Sequence, residues 1–111
     1  MTIAEFRTIA LSLPEAVESS HVGHPDFRIG TRGKIFATLG YPNDDFGVLV
    51  LTPDQQQELI GRYPDMFEPV KGGWGKRGNT QVVLAAAKRH VIESAMRNAW
   101  LNVGRKRQRQ N

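Results

Sequence analysis

Two short segments of this chain set cations beside glycines. Arg28, Arg32 and Lys34 lie on and around the stretch Gly30-Thr31-Arg32-Gly33, and Lys71, Lys76 and Arg77 surround Trp74 in the run from Gly72 to Gly78. Phosphate binding draws on this combination. Cations supply charge, glycines let the backbone approach closely, and the free N–H groups of turns donate to the oxygens. An exposed Trp74 would add a surface on which a base can stack, worth about 1–3 kcal/mol. The contrasting reading is plain solvated charge on turns, with the indole closing the edge of the core.

Other chemistries find less support. His21 and His24 are three residues apart, and in an extended segment that spacing sends side chains to opposite faces, so a shared metal is not expected. Gly23 and Pro25 argue against a helix there, and His90 is the only other histidine. Asp44 and Asp45 adjoin Pro42 and Asn43, a composition that forms turns. The serines at 12, 19, 20 and 94 stand in no nucleophile-elbow pattern. Gly72-Gly73-Trp74-Gly75 has the spacing of neither a P-loop nor a dinucleotide fingerprint. With no cysteine there is no thiol nucleophile, disulfide framework or Cys-rich zinc site. The expectation is a non-enzymatic protein without metal or cofactor.

The elements that must carry these residues are legible in part. Thr2 and Glu5 have capping-box spacing, and Ile3, Phe6, Ile9, Ala10 and Leu13 then recur at helical intervals until Pro14, which predicts a helix over 2–13. Glu15 to Ser20 is polar and shows no period. Phe27 and Ile29, then Ile35, Ala37 and Leu39, alternate with other residues on either side of the Gly30–Gly33 turn, as in a hairpin with one buried face. Gly47 to Leu51 is apolar on both faces and predicts a central strand. Thr52, Pro53 and Gln55 open a second, short helix. Residues 65–69 read as a helical turn or irregular segment, residues 72–78 as a glycine-rich loop, and residues 80–84 as a last strand. Ile92, Ala95, Met96, Ala99, Trp100 and Val103 form a helical stripe over 86–103, with Gly104 as its cap. Strands grouped between helices and joined by hairpins predict an α+β fold, an antiparallel sheet with helices packed on one face.

A length of 111 residues suits one domain, expected over 1–104. A basic tail over 105–111 is expected to be disordered. Hydrophobic residues at 40% and charged residues at 23% are the proportions of a globular chain. The longest apolar run, Val82 to Ala87, falls far short of the roughly 20 residues that span a bilayer, and the N-terminus has no leader-like stretch. A cytoplasmic location and no membrane partner are expected. The net charge is +4, from 15 Lys and Arg against 11 Asp and Glu. Arg105, Lys106, Arg107 and Arg109 account for all of it; without them eleven bases face eleven acids. If only those four met phosphates, the log–log salt slope of binding would be about −3.6.

Several segments in order resemble a known family, the MmcQ/YjbR-like proteins. They are Ala10-Leu11-Ser12-Leu13-Pro14-Glu15, His24-Pro25-Asp26-Phe27-Arg28-Ile29, Lys34-Ile35-Phe36-Ala37, Trp74-Gly75-Lys76-Arg77-Gly78-Asn79-Thr80, and the helix bearing Ala99-Trp100. The family often has an aromatic near Asn79, and this chain has none. The resemblance implies a CyaY-like (frataxin-like) α+β fold, and DNA as partner through a "double wing" of hairpins. The residues expected to contact DNA are then Arg28, Arg32, Lys34, Lys76 and Arg77 on phosphates and Trp74 on a base. A frataxin-like fold also raises iron, but Glu5, Glu15, Glu18 and Asp26 are spread too widely for the several oxygen ligands a hard cation needs. The alternative is a protein-interaction or small-ligand domain with no nucleic-acid role, its apolar edge formed by Tyr63, Met66, Phe67 and Trp74.

Overall fold

A computed structural model of the chain describes the backbone of residues 1–109 and the side chains through residue 104. The first helix, α1 (Ile3–Leu11), opens on a capping box: the Glu5 N–H donates to the Thr2 hydroxyl and the Thr2 N–H to the Glu5 carboxylate. It buries Phe6, Ile9 and Ala10. The strands β1 (Ala16–His21), β2 (His24–Ile29), β3 (Ile35–Leu39) and β4 (Phe46–Val50) follow as a meander. After them come α2 (Pro53–Arg62), β5 (Phe67–Pro69), the four-residue α3 (Gly73–Lys76), β6 (Asn79–Val83), a 3₁₀ turn at Leu84–Ala86, and α4 (Arg89–Arg109). Thr52 and Gln55 cap α2 reciprocally, with Pro53 in its first turn.

The six strands form one antiparallel sheet in the order β1-β2-β3-β4-β6-β5. The helices cover a single face. There Phe27, Ile29, Ala37, Leu39, Leu49, Leu51, Phe67 and Val82 meet Phe6 and Ile9 of α1 and Ile92, Ala95, Met96, Ala99 and Val103 of α4. This is the expected α+β arrangement, and β4 is central as its two apolar faces required. No helix among the described residues is long and apolar enough to cross a membrane.

The structure departs from the sequence reading at five places. Residues 16–21, without a period in the sequence, form the edge strand β1, whose side chains are mostly exposed. Residues 67–69 form a second edge strand rather than a helical turn, and the glycine-rich loop contains α3. Trp100 packs at the margin of the core, half-buried, with its indole N–H donating to the Pro14 carbonyl at 3.0 Å. The last helix passes through Gly104 and runs to Arg109 rather than being capped there. The tail side chains beyond residue 104, and residues 110–111 altogether, lie outside the described residues.

Candidate functional site

The sheet face opposite the helices carries one residue from every strand in a continuous register row: Ser19, Asp26, Thr38, Val48, Gln81 and Glu68. The inner members of this row are shielded by their neighbours. Asp26 is completely buried, and Thr38, Val48 and Gln81 are nearly so. Each polar member with a buried head is satisfied; the Gln81 amide, for instance, donates to Glu68 at 2.8 Å.

Asp26 sits at the centre of the first cluster. The Arg28 guanidinium grips it at two points, Nε to Oδ1 at 2.8 Å and Nη2 to Oδ2 at 3.0 Å, and His21 Nδ1 lies 2.8 Å from Oδ2. Burial pushes the Asp26 carboxyl up, but the hydrogen bonds and charges of Arg28 and His21 outweigh it and hold the group below the usual aspartate value. The same hydrogen bond raises the Arg28 guanidinium. Because a carboxylate only accepts, Nδ1 of His21 carries the proton and Nε2 is left outward. Val22 and Gly23, both at positive φ, make the tight turn between β1 and β2, and they reverse the expected relation of the two histidines. His21 and His24 are cross-strand partners on one face, with ring centroids 6.2 Å apart, and His24 packs edge-on against Tyr41.

A groove of about 830 Å³ crosses this open face. Ile35, Val48 and Val50 line its floor; His21 and Tyr41 stand at one end, Trp74 and Arg77 at the other. Trp74 is 63% exposed and lies on α3, with the Arg77 guanidinium 5.3 Å from the centre of its ring. The position of α3 is strongly determined. A Cβ on Gly75 would fall 1.8 Å from the Val70 carbonyl oxygen, and Gly78, at φ +110°, has no room for one against Leu51. The buried Gln56 amide shares its two protons among the Gly75 and Asn79 carbonyls and the Thr80 hydroxyl, at 3.0–3.2 Å. Asn79 in turn donates to the Trp74 carbonyl.

Strand direction decides where the cations lie. The β2–β3 turn carries Arg32 and Lys34. The start of β3 lies beside the end of β4, and Val50 at that end pairs with Asn79, the first residue of β6. The segment with Lys71, Lys76 and Arg77 therefore flanks the same end of the sheet as Arg32 and Lys34. The last helix reaches this end too, where Asn102 donates to the Val50 carbonyl and Gly104 faces Ile29. Arg32, Lys34, Lys71, Lys76 and Arg77 are all exposed, and none forms an ion pair among the described residues. Arg28 departs from the expected set: it is held by Asp26. The expected apolar edge also breaks up, since Met66 and Phe67 belong to the core and Tyr63 packs against it, leaving Trp74 exposed.

The YjbR family model matches residues 11–102. The chain belongs to the YjbR family. A crystal structure of the Deinococcus radiodurans protein DR2400, described as a family-model domain DUF419, superposes with a TM-score of 0.76 at 19% identity. It covers 92% of this chain and 78% of that one, a likeness of fold. No curated protein matches. In this YjbR-family chain three of the acids weighed for iron serve structure: Glu5 caps α1, Glu18 pairs with Arg7 at 2.9 Å, and Asp26 holds Arg28. Among the described residues no three His, Asp or Glu groups converge as a metal site would require.

Sequence reasoning missed the His21–Asp26 contact and the groove. The signal for the first was Val22-Gly23, two residues between His21 and His24, which is the length of a tight hairpin turn.

Proposed function

We propose that this YjbR-family protein is a non-enzymatic DNA-binding module that holds phosphates through the basic segments at one end of its sheet. One observation carries the reading. Two cation-bearing segments about forty residues apart in sequence are brought to the same end of the sheet by the antiparallel order, with their charges unpaired. The chain as far as residue 104 has no net charge, but its charges are sorted, and a local field at one end attracts a polyanion that a uniform neutral surface would not. Cations without acidic partners can release counterions from DNA without first breaking a salt bridge. The family resemblance supplies the same class of partner.

The test is a salt series on the full chain with DNA. The substitutions Arg32→Gln, Lys34→Gln, Lys76→Gln and Arg77→Gln are combined in one protein, and the four tail cations are replaced by Gln in another. The first set is expected to reduce the magnitude of the log–log salt slope by about 3, at 0.7–0.9 per phosphate contact. An unchanged slope in the first protein, with binding abolished in the second, would place all contact on the tail and end this reading.

A further inference from the structure

We infer that the groove on the open sheet face receives the unpaired bases of single-stranded DNA, while the flanking cations hold its phosphates. The inference rests on the DNA-binding reading above and narrows it to strand state. Its first ground is Trp74. A large apolar side chain is normally buried, yet this one is 63% exposed on a four-residue helix fixed from three sides: by the Gln56 amide, by Gly75 against Val70, and by Gly78 against Leu51. Such an indole offers a rigid aromatic surface at little entropic cost. A base inside a duplex shows a protein only its edges; only an unpaired base has a ring face free to stack.

The floor is the second ground. Ile35, Val48 and Val50 form an apolar bed continuous with Trp74, in a groove of about 830 Å³, within the range of roughly 300–1,000 Å³ typical of sites that enclose small organic groups. The carboxylate buried in this face, Asp26, is neutralised by Arg28 and His21, so it does not repel a passing phosphate. The third ground is the rim. Arg77 lines the groove beside Trp74, and Arg32, Lys34 and Lys76 lie on segments at the same end of the sheet, which suits a backbone flanking stacked bases.

The experiment uses the full chain with Trp100→Phe, which leaves Trp74 as the sole tryptophan, its fold checked by thermal melting. An oligo-dT strand and a dA·dT duplex of equal length are titrated at one salt concentration, following fluorescence for the strand and anisotropy for both. The expected result is quenching of Trp74 by the single strand and an affinity at least about tenfold above that of the duplex. Trp74→Ala should lower single-strand affinity by about 5- to 150-fold, Trp74→Phe should restore part of it, and duplex binding should stay unchanged in both. Equal or tighter duplex binding, insensitive to Trp74→Ala, would overturn the single-strand inference while leaving the phosphate reading intact. Failure of both DNAs to bind would overturn the two together.

Discussion

Arg28 and Asp26, two residues apart on one face of β2, form a two-point ion pair with a fully buried carboxylate. The pair explains why a cation in a basic turn region is unavailable to a ligand, and it makes stability separable from binding. Removing Arg28 leaves a buried charge with His21 as its remaining partner. Arg28→Gln is therefore expected to destabilise the fold by about 3 kcal/mol in urea titration. DNA affinity per folded molecule should fall much less than in Lys76→Gln. A loss of affinity matching that of Lys76→Gln, at full stability, would contradict this assignment.

The same carboxylate sets a pH dependence. Its folded pKa is depressed below the ordinary 3.8, so the unfolded chain takes up the proton first as pH falls. Its contribution is complete above about pH 5, and is lost as pH drops through 3.8 toward the folded value. Asp26→Asn should flatten this acid limb in stability curves measured from pH 6 to pH 2, while lowering stability at neutral pH. An identical limb in the variant would mean that other carboxylates account for it.

Val22 occupies the tip of the β1–β2 hairpin at φ +49° and is 91% exposed. A β-branched residue is strained in the left-handed region, which asparagine tolerates, and it has no packing to offset the strain. Val22→Asn is expected to stabilise by about 1 kcal/mol, raising the melting temperature by about 5 °C. A lowered melting temperature would show that the side chain has a contact role at this tip.

Gln56 links α2 to the segment that carries Trp74. In Gln56→Ala the Gly75 and Asn79 carbonyls each lose one of two donors, keeping the backbone N–H groups of Gly78 and Val70, at a cost of about 1–3 kcal/mol by chemical denaturation. Hydrogen exchange at residues 73–80 should accelerate more than at α1, because the brace is local. Uniform acceleration over the whole chain would indicate only global destabilisation.

Gly75→Ala tests the same placement by sterics. Its Cβ would overlap the Val70 carbonyl oxygen at 1.8 Å, and the obstacle is backbone. The variant should fold less stably by more than about 2 kcal/mol and shift the fluorescence of Trp74. Gly61→Ala, at a site with open space around the new methyl, should be tolerated and serves as the control.

Much of this molecule is legible residue by residue because the physics is local. The capping boxes at Thr2–Glu5 and Thr52–Gln55 each close within four residues. The stripe from Ile92 to Val103 needs nothing beyond helical geometry to be read, and the alternation around Phe27 and Ala37 nothing beyond the pleat of a strand. From these the α+β class and the one-sided packing of helices follow. The edge strands were hidden for the converse reason. Most of β1 is exposed and takes its structure from pairing with β2, so no burial pattern marks Ala16–His21 in the sequence. Tertiary structure alone decided the site. Strand order brought the segments at 32–34 and 71–77 to one end, and hairpin register put His21 beside Asp26 and His24. The bracing of α3 by residues from α2 and β6 left Trp74 in solvent. The first and the last depend on contacts between residues distant in the chain, which exist only once the sheet has formed, whereas the histidine contact depends on the register of a single local hairpin.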